Sequence, residues 1–392
     1  MKKLKWQTSY FDARWILCLY PLLLIIGKIV RWTVMQNTLI HNSAGWGYPP
    51  HILNDPWTWE FFGIEELSEG DIGLGGNIYT FFKIVRLIFC GLPDDFYTFE
   101  ICLTVFLGTL MFLVLTGMKK KLSDMEAVFV SLAIIVNSVY CFNLGKEAFQ
   151  MIFFLLIYMV LKSGSLTEKK KFWGTVLILT LSIMCFRTYY ALILVFSFAF
   201  AMIVSFMKKM NEAFVFNLKN MIWIFFLMCL VYLAFMLILE EVHPELYERF
   251  WNALLHASDA TSAGNTYIKN RITPILGEHV WGTWLEYMLA VVRLLFPLEL
   301  IGKGPKYWPF VLYQLIITFF IQKALRHMRD NSSGQNLALI LFVGFLFASA
   351  AFETDYGAWI RHSAVTFPVI LMMAGIIKPN GEERPEERIE II

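Results

Sequence analysis

"FWGTVLILTLSIMCFRTYYALILVFSFAFAMIVSFM", residues 172–207, is apolar except near its middle, where Arg187 and Thr188 stand, and it ends against Lys208 and Lys209. It reads as two apolar segments, 172–186 and 189–207, folded back on each other. A straight bilayer crossing takes about 20 residues. The first segment is short for this, so Arg187 falls at or below the outer interface. An arginine there either snorkels to headgroups or serves a site.

Outward from this hairpin the same texture continues. The chain has 392 residues, 58% of them hydrophobic and 16% charged, whereas soluble domains carry roughly 25% charged residues. Apolar runs recur at 15–34, 101–118, 125–142, 144–161, 172–186, 189–207, 221–240, 307–325, 336–352 and 362–378. The expected fold is an all-α polytopic membrane protein of about ten transmembrane helices. One integral membrane domain would cover 1–378, followed by the acidic tail 379–392. Water-soluble enzyme folds are excluded. The first run lacks a small-residue cleavage site and reads as a retained anchor. The six cysteines form neither a CxxC motif nor a Cys/His cluster, so no disulfide frame or zinc site is indicated. A net charge of +2 without a basic aromatic module argues against nucleic acid as a partner.

Orientation follows from the lysines and arginines. Clusters precede the first run (Lys2, Lys3, Lys5, Arg14) and follow the second (Lys119, Lys120, Lys121), fourth (Lys162, Lys169, Lys170, Lys171) and sixth (Lys208, Lys209, Lys219). Others follow the eighth (Lys323, Arg326, Arg329) and tenth (Lys378, Arg384, Arg388). These clusters hold more than half of the chain's 33 basic residues and all fall on one side, which the positive-inside bias makes cytoplasmic, both termini included.

Two long connections, about 35–100 and 241–306, then lie outside. Each holds an apolar segment with sparse charges that suits an interfacial or re-entrant helix, or else a true span; two such extra spans would leave the C-terminal side unchanged. Lys83 and Arg86 share a face in the first, and Glu286 and Arg293 roughly do so in the second.

Three outer hairpins carry charge: Lys146 and Glu147 in "NLGKEAF", Arg187, and Glu353, Asp355, Arg361 and His362 in "FETDYGAWIRHS". Taken singly, each has a plain explanation in a local ion pair, a snorkelling group or a turn. Together with Arg271 in the late loop they favour a shared polar cavity. Arginine suits phosphate because its planar fork pairs with two oxygens. A carboxylate or His362 suits a general base. In the first outer loop Asp55 stands among Trp46, Trp57 and Trp59, which describe either a sugar-binding surface or an interfacial aromatic belt. No Walker, HExxH or GxSxG motif occurs.

This layout, with "GKEAF" (145–149), "FRTYY" (186–190) and "DYGAWIRH" (355–362), resembles the Wzy/EpsG-like polymerases of bacterial capsule and exopolysaccharide assembly. The resemblance implies a multi-pass inner-membrane glycosyltransferase that takes polyprenyl-pyrophosphate-linked sugars at the extracytoplasmic face. Its partners would be that glycan substrate, membrane lipids and a glycan-assembly complex. By this resemblance Arg187, Arg271 and Arg361 hold the lipid pyrophosphate. In the mechanism the residues themselves suggest, one of Glu353, Asp355 or His362 deprotonates the attacking sugar hydroxyl, and Lys146 and Glu147 line the same cavity. No cofactor is implied. A second resemblance, to C-type membrane glycosyltransferases, makes Asp55 the catalytic acid and allows a divalent metal, although no second acid at metal spacing accompanies it.

Rival readings are a flippase or transporter of the same lipids and a membrane acyltransferase modifying a glycan. The first wants polar residues through the cytoplasmic half of the spans, which are almost uncharged here. The second wants a histidine on the cytoplasmic side, and most histidines fall outside.

The topology is tested by placing single cysteines in a background without the native ones. Cysteines at Gly145, Ser262 and Gly357 are expected to react with an impermeant thiol reagent added to intact cells, and one at Ser165 is not. Labelling at Ser165 would invert the orientation.

Overall fold

A computed structural model of the chain describes residues 10–41, 96–143, 146–185, 190–210, 215–255, 266–277, 279–353 and 355–379. The described residues are mostly helical, with almost no sheet. Helices stand at the expected runs: α1 (Ala13–His41), α2 (Phe96–Leu115), α3 (Asp124–Tyr140), α4 (Lys146–Lys162), α5 (Glu168–Cys185), α6 (Ala191–Met210) and α7 (Leu218–Val242). The late loop adds α8 (Pro244–Leu255), α9 (Thr273–Leu276) and α10 (Val280–Leu295) before α11 (Trp308–Arg326) and α12 (Ser333–Ser349). Most of the first long connection, with Asp55, Lys83 and Arg86, lies outside the described residues, as does the acidic tail.

Four helical stretches are long and apolar enough to cross a membrane: Ala13–Arg31, Ala191–Met210, Leu218–Val242 and Pro305–Arg326. Ile101–Leu115 and Ser333–Ser349 are apolar but shorter. Large apolar side chains are exposed in helical stripes. They run through Trp15, Leu19, Leu22 and Ile29 on α1, through Trp173, Leu177, Leu181 and Met184 on α5, and through Phe198, Met202 and Phe206 on α6. Spacings of three, four and seven residues put each set on one helix face. Such stripes suit acyl chains, and a helix satisfies its own backbone there.

The run 362–378 departs from expectation. It is divided between α13 (Tyr356–Ala364) and α14 (Phe367–Met373), with Thr366 between them at φ −84, ψ 3. Pro368 explains the break. It has no N–H to give the carbonyl of Ala364, and it sits in the first turn of α14, where that N–H would have no helical partner anyway.

The helices group into two compact units, neither contiguous in sequence. One contains Met1–Gly174, Leu181–Thr188 and Ala364–Ile392; the other contains Thr175–Thr180 and Tyr189–Ser363.

In the first unit α1 runs along α3. A Cβ built on Gly27 would lie 2.5 Å from Ser138 Cβ, so glycine is what permits the close crossing. Ser138 Oγ donates to Leu24 O at 2.7 Å, and Tyr20 donates to Gly108 O on α2 at 2.6 Å. At one end β1 (Tyr10–Asp12) pairs antiparallel with β2 (Lys121–Ser123). Ser123 and Glu126 form a capping box at the start of α3, and Lys119 Nζ reaches Glu126 at 2.8 Å. Met118 bridges Ile377, and Lys119 N donates to Ile376 O at 3.0 Å. Three segments whose lysines predict one side of the membrane therefore meet at one end of this unit. At the C-terminal end of α3, Lys28 donates to Phe142 O at 2.6 Å and to the Asn143 side chain, while Thr104 donates to Phe142 O at 2.5 Å. A cation there complements the helix dipole.

In the second unit α6 packs along α12. A Cβ on Gly344 would meet Ser197 Oγ at 2.1 Å and Ile193 O at 2.8 Å. The helix α10 packs against α7, α11 and α12. Trp284 Nε1 donates to Cys229 O at 2.8 Å, Tyr287 stacks on Tyr232 with centroids 3.7 Å apart, and its hydroxyl donates to Phe347 O at 2.8 Å. The α8 helix joins this unit through Phe250, whose ring centroid lies 5.6 Å from Phe235 and 5.0 Å from Phe352.

Gly344→Ala is expected to destabilise by about 1–3 kcal/mol, the usual range for overpacking. Gly302→Ala, where an added Cβ meets nothing within 4 Å, serves as the silent control. Unfolding midpoints in detergent compare the two.

Candidate functional site

The charged stretch 352–363 lies in the second unit, between α12 and the end of α13. Its four charges divide into different uses. Asp355 caps α13: Oδ1 accepts from Ala358 N at 2.9 Å, three residues on, and Oδ2 accepts from Thr266 Oγ1 at 2.6 Å. A Cβ on Gly357 would sit 2.8 Å from Asp355 Oδ1, so the glycine makes room for this cap. Asp355 also bridges Tyr267, and Tyr356 N donates to Thr266 O at 3.0 Å. The end of the late loop is thereby stitched to the head of α13.

Glu353 and His362 pair directly, through Oε1 and Nδ1. They stand on either side of the cap in sequence, and both are largely buried, with 8% and 12% of their side chains exposed. Arg361, half-buried, precedes His362. The helix that carries His362 is held from beneath. Trp359 Nε1 donates to the buried Gln314 Oε1 of α11 at 2.9 Å, and the Trp359 ring stacks on Phe345 of α12 with centroids 5.8 Å apart.

A second charged group adjoins the stitch. Glu286 of α10 accepts from three successive backbone N–H groups, Arg271 at 3.0 Å, Ile272 at 2.7 Å and Thr273 at 3.3 Å. Its other oxygen faces Arg293 Nη1 at 3.5 Å, and the same Nη1 donates to Lys269 O at 2.9 Å. Glu299 Oε1 lies 3.2 Å from Arg293 Nε and 3.3 Å from Arg271 Nη2. The helix face that Glu286 and Arg293 share is a buried one: only 2% and 6% of their side chains are exposed. They turn inward because each has a partner there, and an unpaired charge would not survive burial. Tyr356 lies beside this group. Burial first, and then the Glu299 carboxylate, push its phenol well above the usual range, so it stays a neutral hydroxyl.

The structure thus brings five of the sequence-predicted residues into one unit: Arg271, Glu353, Asp355, Arg361 and His362. Glu147 belongs to the other unit and is buried at the first turn of α4. The side chain of Lys146 and the whole of Arg187 lie outside the described residues, as does Asp55. Among the described residues no group of three or more His, Cys, Asp or Glu side chains is arranged to hold a metal ion. Sequence reasoning missed Glu299 and the pairing role of Arg293. The available signal was a single acid in "FPLEL", six residues after Arg293, inside an otherwise apolar run. Comparisons with protein-family models, curated proteins and solved structures find no match for this chain.

With both Asp355 oxygens engaged in structure, Asp355→Ala is expected to cost about 0.5–2 kcal/mol, as loss of an N-cap does. Asp355→Asn, which keeps an acceptor for Ala358 N, is expected to cost less. Thermal unfolding of the two purified variants tests the order, and equal losses would remove the capping role.

Proposed function

We propose that this chain is a membrane glycosyltransferase of the polysaccharide-polymerase kind, working at the extracytoplasmic face of a bacterial inner membrane on polyprenyl-pyrophosphate-linked sugars. Both termini lie on the cytoplasmic side in this reading, and capsule or exopolysaccharide is the product. The observation that carries it is the paired Glu353 and His362, largely buried in an apolar helical unit that also presents Arg271 and Arg361. A carboxylate that fixes one nitrogen of a histidine leaves the other available to take a proton. Arginines supply the charge that a departing pyrophosphate needs.

In the proposed step the acceptor sugar hydroxyl attacks the anomeric carbon of the donor. The new glycosidic C–O bond forms as the bond to the lipid pyrophosphate breaks, and the pyrophosphate leaves with both electrons. The hydroxyl proton passes to His362, held by Glu353. Arg271 and Arg361 bind the leaving group. Asp355 is retained as the residue that shapes the site, its oxygens being committed to Ala358 N and Thr266. An approach from within the bilayer accounts for the many apolar helices. Membrane lipids and a glycan-assembly complex are the partners this reading requires, and no cofactor enters it.

Glu353→Gln and His362→Ala, made separately, are expected to reach normal membrane abundance while cutting polymer by about 10²-fold or more, the loss typical of a missing general base. Membrane abundance and glycan chain length are read side by side. Normal polymer from both variants would remove the pair from catalysis.

A further inference from the structure

We propose that Arg271 and Arg293 form a pyrophosphate-binding pair, that Glu299 occupies this pair at rest, and that an incoming pyrophosphate displaces the Glu299 carboxylate. The identity of the ligand rests on the functional reading above; the geometry of the pair does not.

A single oxygen, Glu299 Oε1, is shared between the two guanidinium groups, at 3.3 Å from Arg271 Nη2 and 3.2 Å from Arg293 Nε. The side-facing fork of an arginine consists of Nε and the adjacent Nη, and two acceptor oxygens fill it. On Arg293 only half of that fork is used. Its Nη2 is buried and has no hydrogen-bond partner among the described residues. A buried ion pair kept only for structure would satisfy that donor, because leaving it unmet is costly.

The remaining contacts fix the orientation of Arg293. Nη1 is held by Lys269 O at 2.9 Å and faces Glu286 at 3.5 Å, so the half-empty fork keeps its aim. The other members are more exposed. The Arg271 side chain is 65% exposed, and Glu299 is 31% exposed on a short turn, Leu298–Lys303, which ends in Lys303. Lys303 Nζ reaches Tyr267 O at 3.2 Å, adding a cation to the same rim. A phosphate group offers three oxygens in a tetrahedron, enough for both arginine forks at once, where one carboxylate oxygen now serves two. A pyrophosphate carries more charge than the carboxylate it replaces, and Glu299 can swing out to solvent. Occupancy by Glu299 lowers apparent affinity until a ligand strong enough to displace it arrives.

The test is calorimetric titration of the full chain in detergent with inorganic pyrophosphate. If Glu299 occupies the pair about nine-tenths of the time, Glu299→Gln is expected to tighten apparent binding about tenfold. Arg293→Lys keeps the charge but loses the fork, and is expected to weaken it. Unchanged affinity in Glu299→Gln, or no binding by either that variant or the native chain, overturns the proposal. Should the variants misfold, the native chain answers alone: pyrophosphate should slow arginine-directed modification of Arg271, mapped by mass spectrometry, and absence of protection overturns the site. Farnesyl pyrophosphate binding more tightly than the inorganic ion assigns the site to a lipid-linked ligand, and equal binding assigns it to the pyrophosphate group alone. Tightening in Glu299→Gln alongside normal polymer from the Glu353 and His362 variants would leave this site standing while removing the catalytic reading.

Discussion

A carboxylate inside an apolar helical unit must have every oxygen engaged or it forces water in, and Glu286 meets that demand. It collects the backbone N–H groups of Arg271, Ile272 and Thr273 and faces Arg293 with its remaining oxygen. Those contacts fix where the late loop leaves the surface and enters α9. From that fixed point Thr266 and Tyr267 reach Asp355, and through it the head of α13. The same helix carries Arg361 and His362. The position of the Glu353–His362 pair therefore depends on an acid two elements away.

Much of the scaffold was legible because hydropathy is a windowed property. Segments such as 189–207 and 221–240 need no partner to declare themselves, and α6 and α7 stand there. The run at 362–378 was legible as apolar but not as continuous. Its average hides Pro368, whose missing N–H is a single-atom fact with a helix-wide effect. The division into two units left no mark in sequence at all, because α5 contributes residues to both and no linker composition separates them.

The candidate site was legible in its residue types and not in its pairing. Four charges in ten residues were conspicuous, yet nothing in "FETDYGAWIRHS" distinguishes the acid that caps a helix from the acid that holds a histidine. That assignment is made by Thr266, almost ninety positions earlier, which engages Asp355 and leaves Glu353 to His362. Glu286 and Arg293 were visible as one face of a helix, but which way the face turned depended on Lys269 and Glu299 lying opposite. A lone acid such as Glu299 carries no local pattern. It becomes significant only when two arginines from different elements converge on it.

The pairing of Met118 with Ile377, and of Lys119 with Ile376, has a consequence for the order of synthesis. All of α6 through α12 emerges from the ribosome between the two halves of that contact. The first unit must wait, open at one end, while the whole of the second is made and inserted. During that interval the backbone around Met118 lacks its later partner and is braced by the β1–β2 ribbon and the Ser123–Glu126 cap. An unpaired strand edge is a site for wrong pairing. The short β1–β2 ribbon thus acts as a temporary guard, holding a seam until Ile376 and Ile377 arrive to close it.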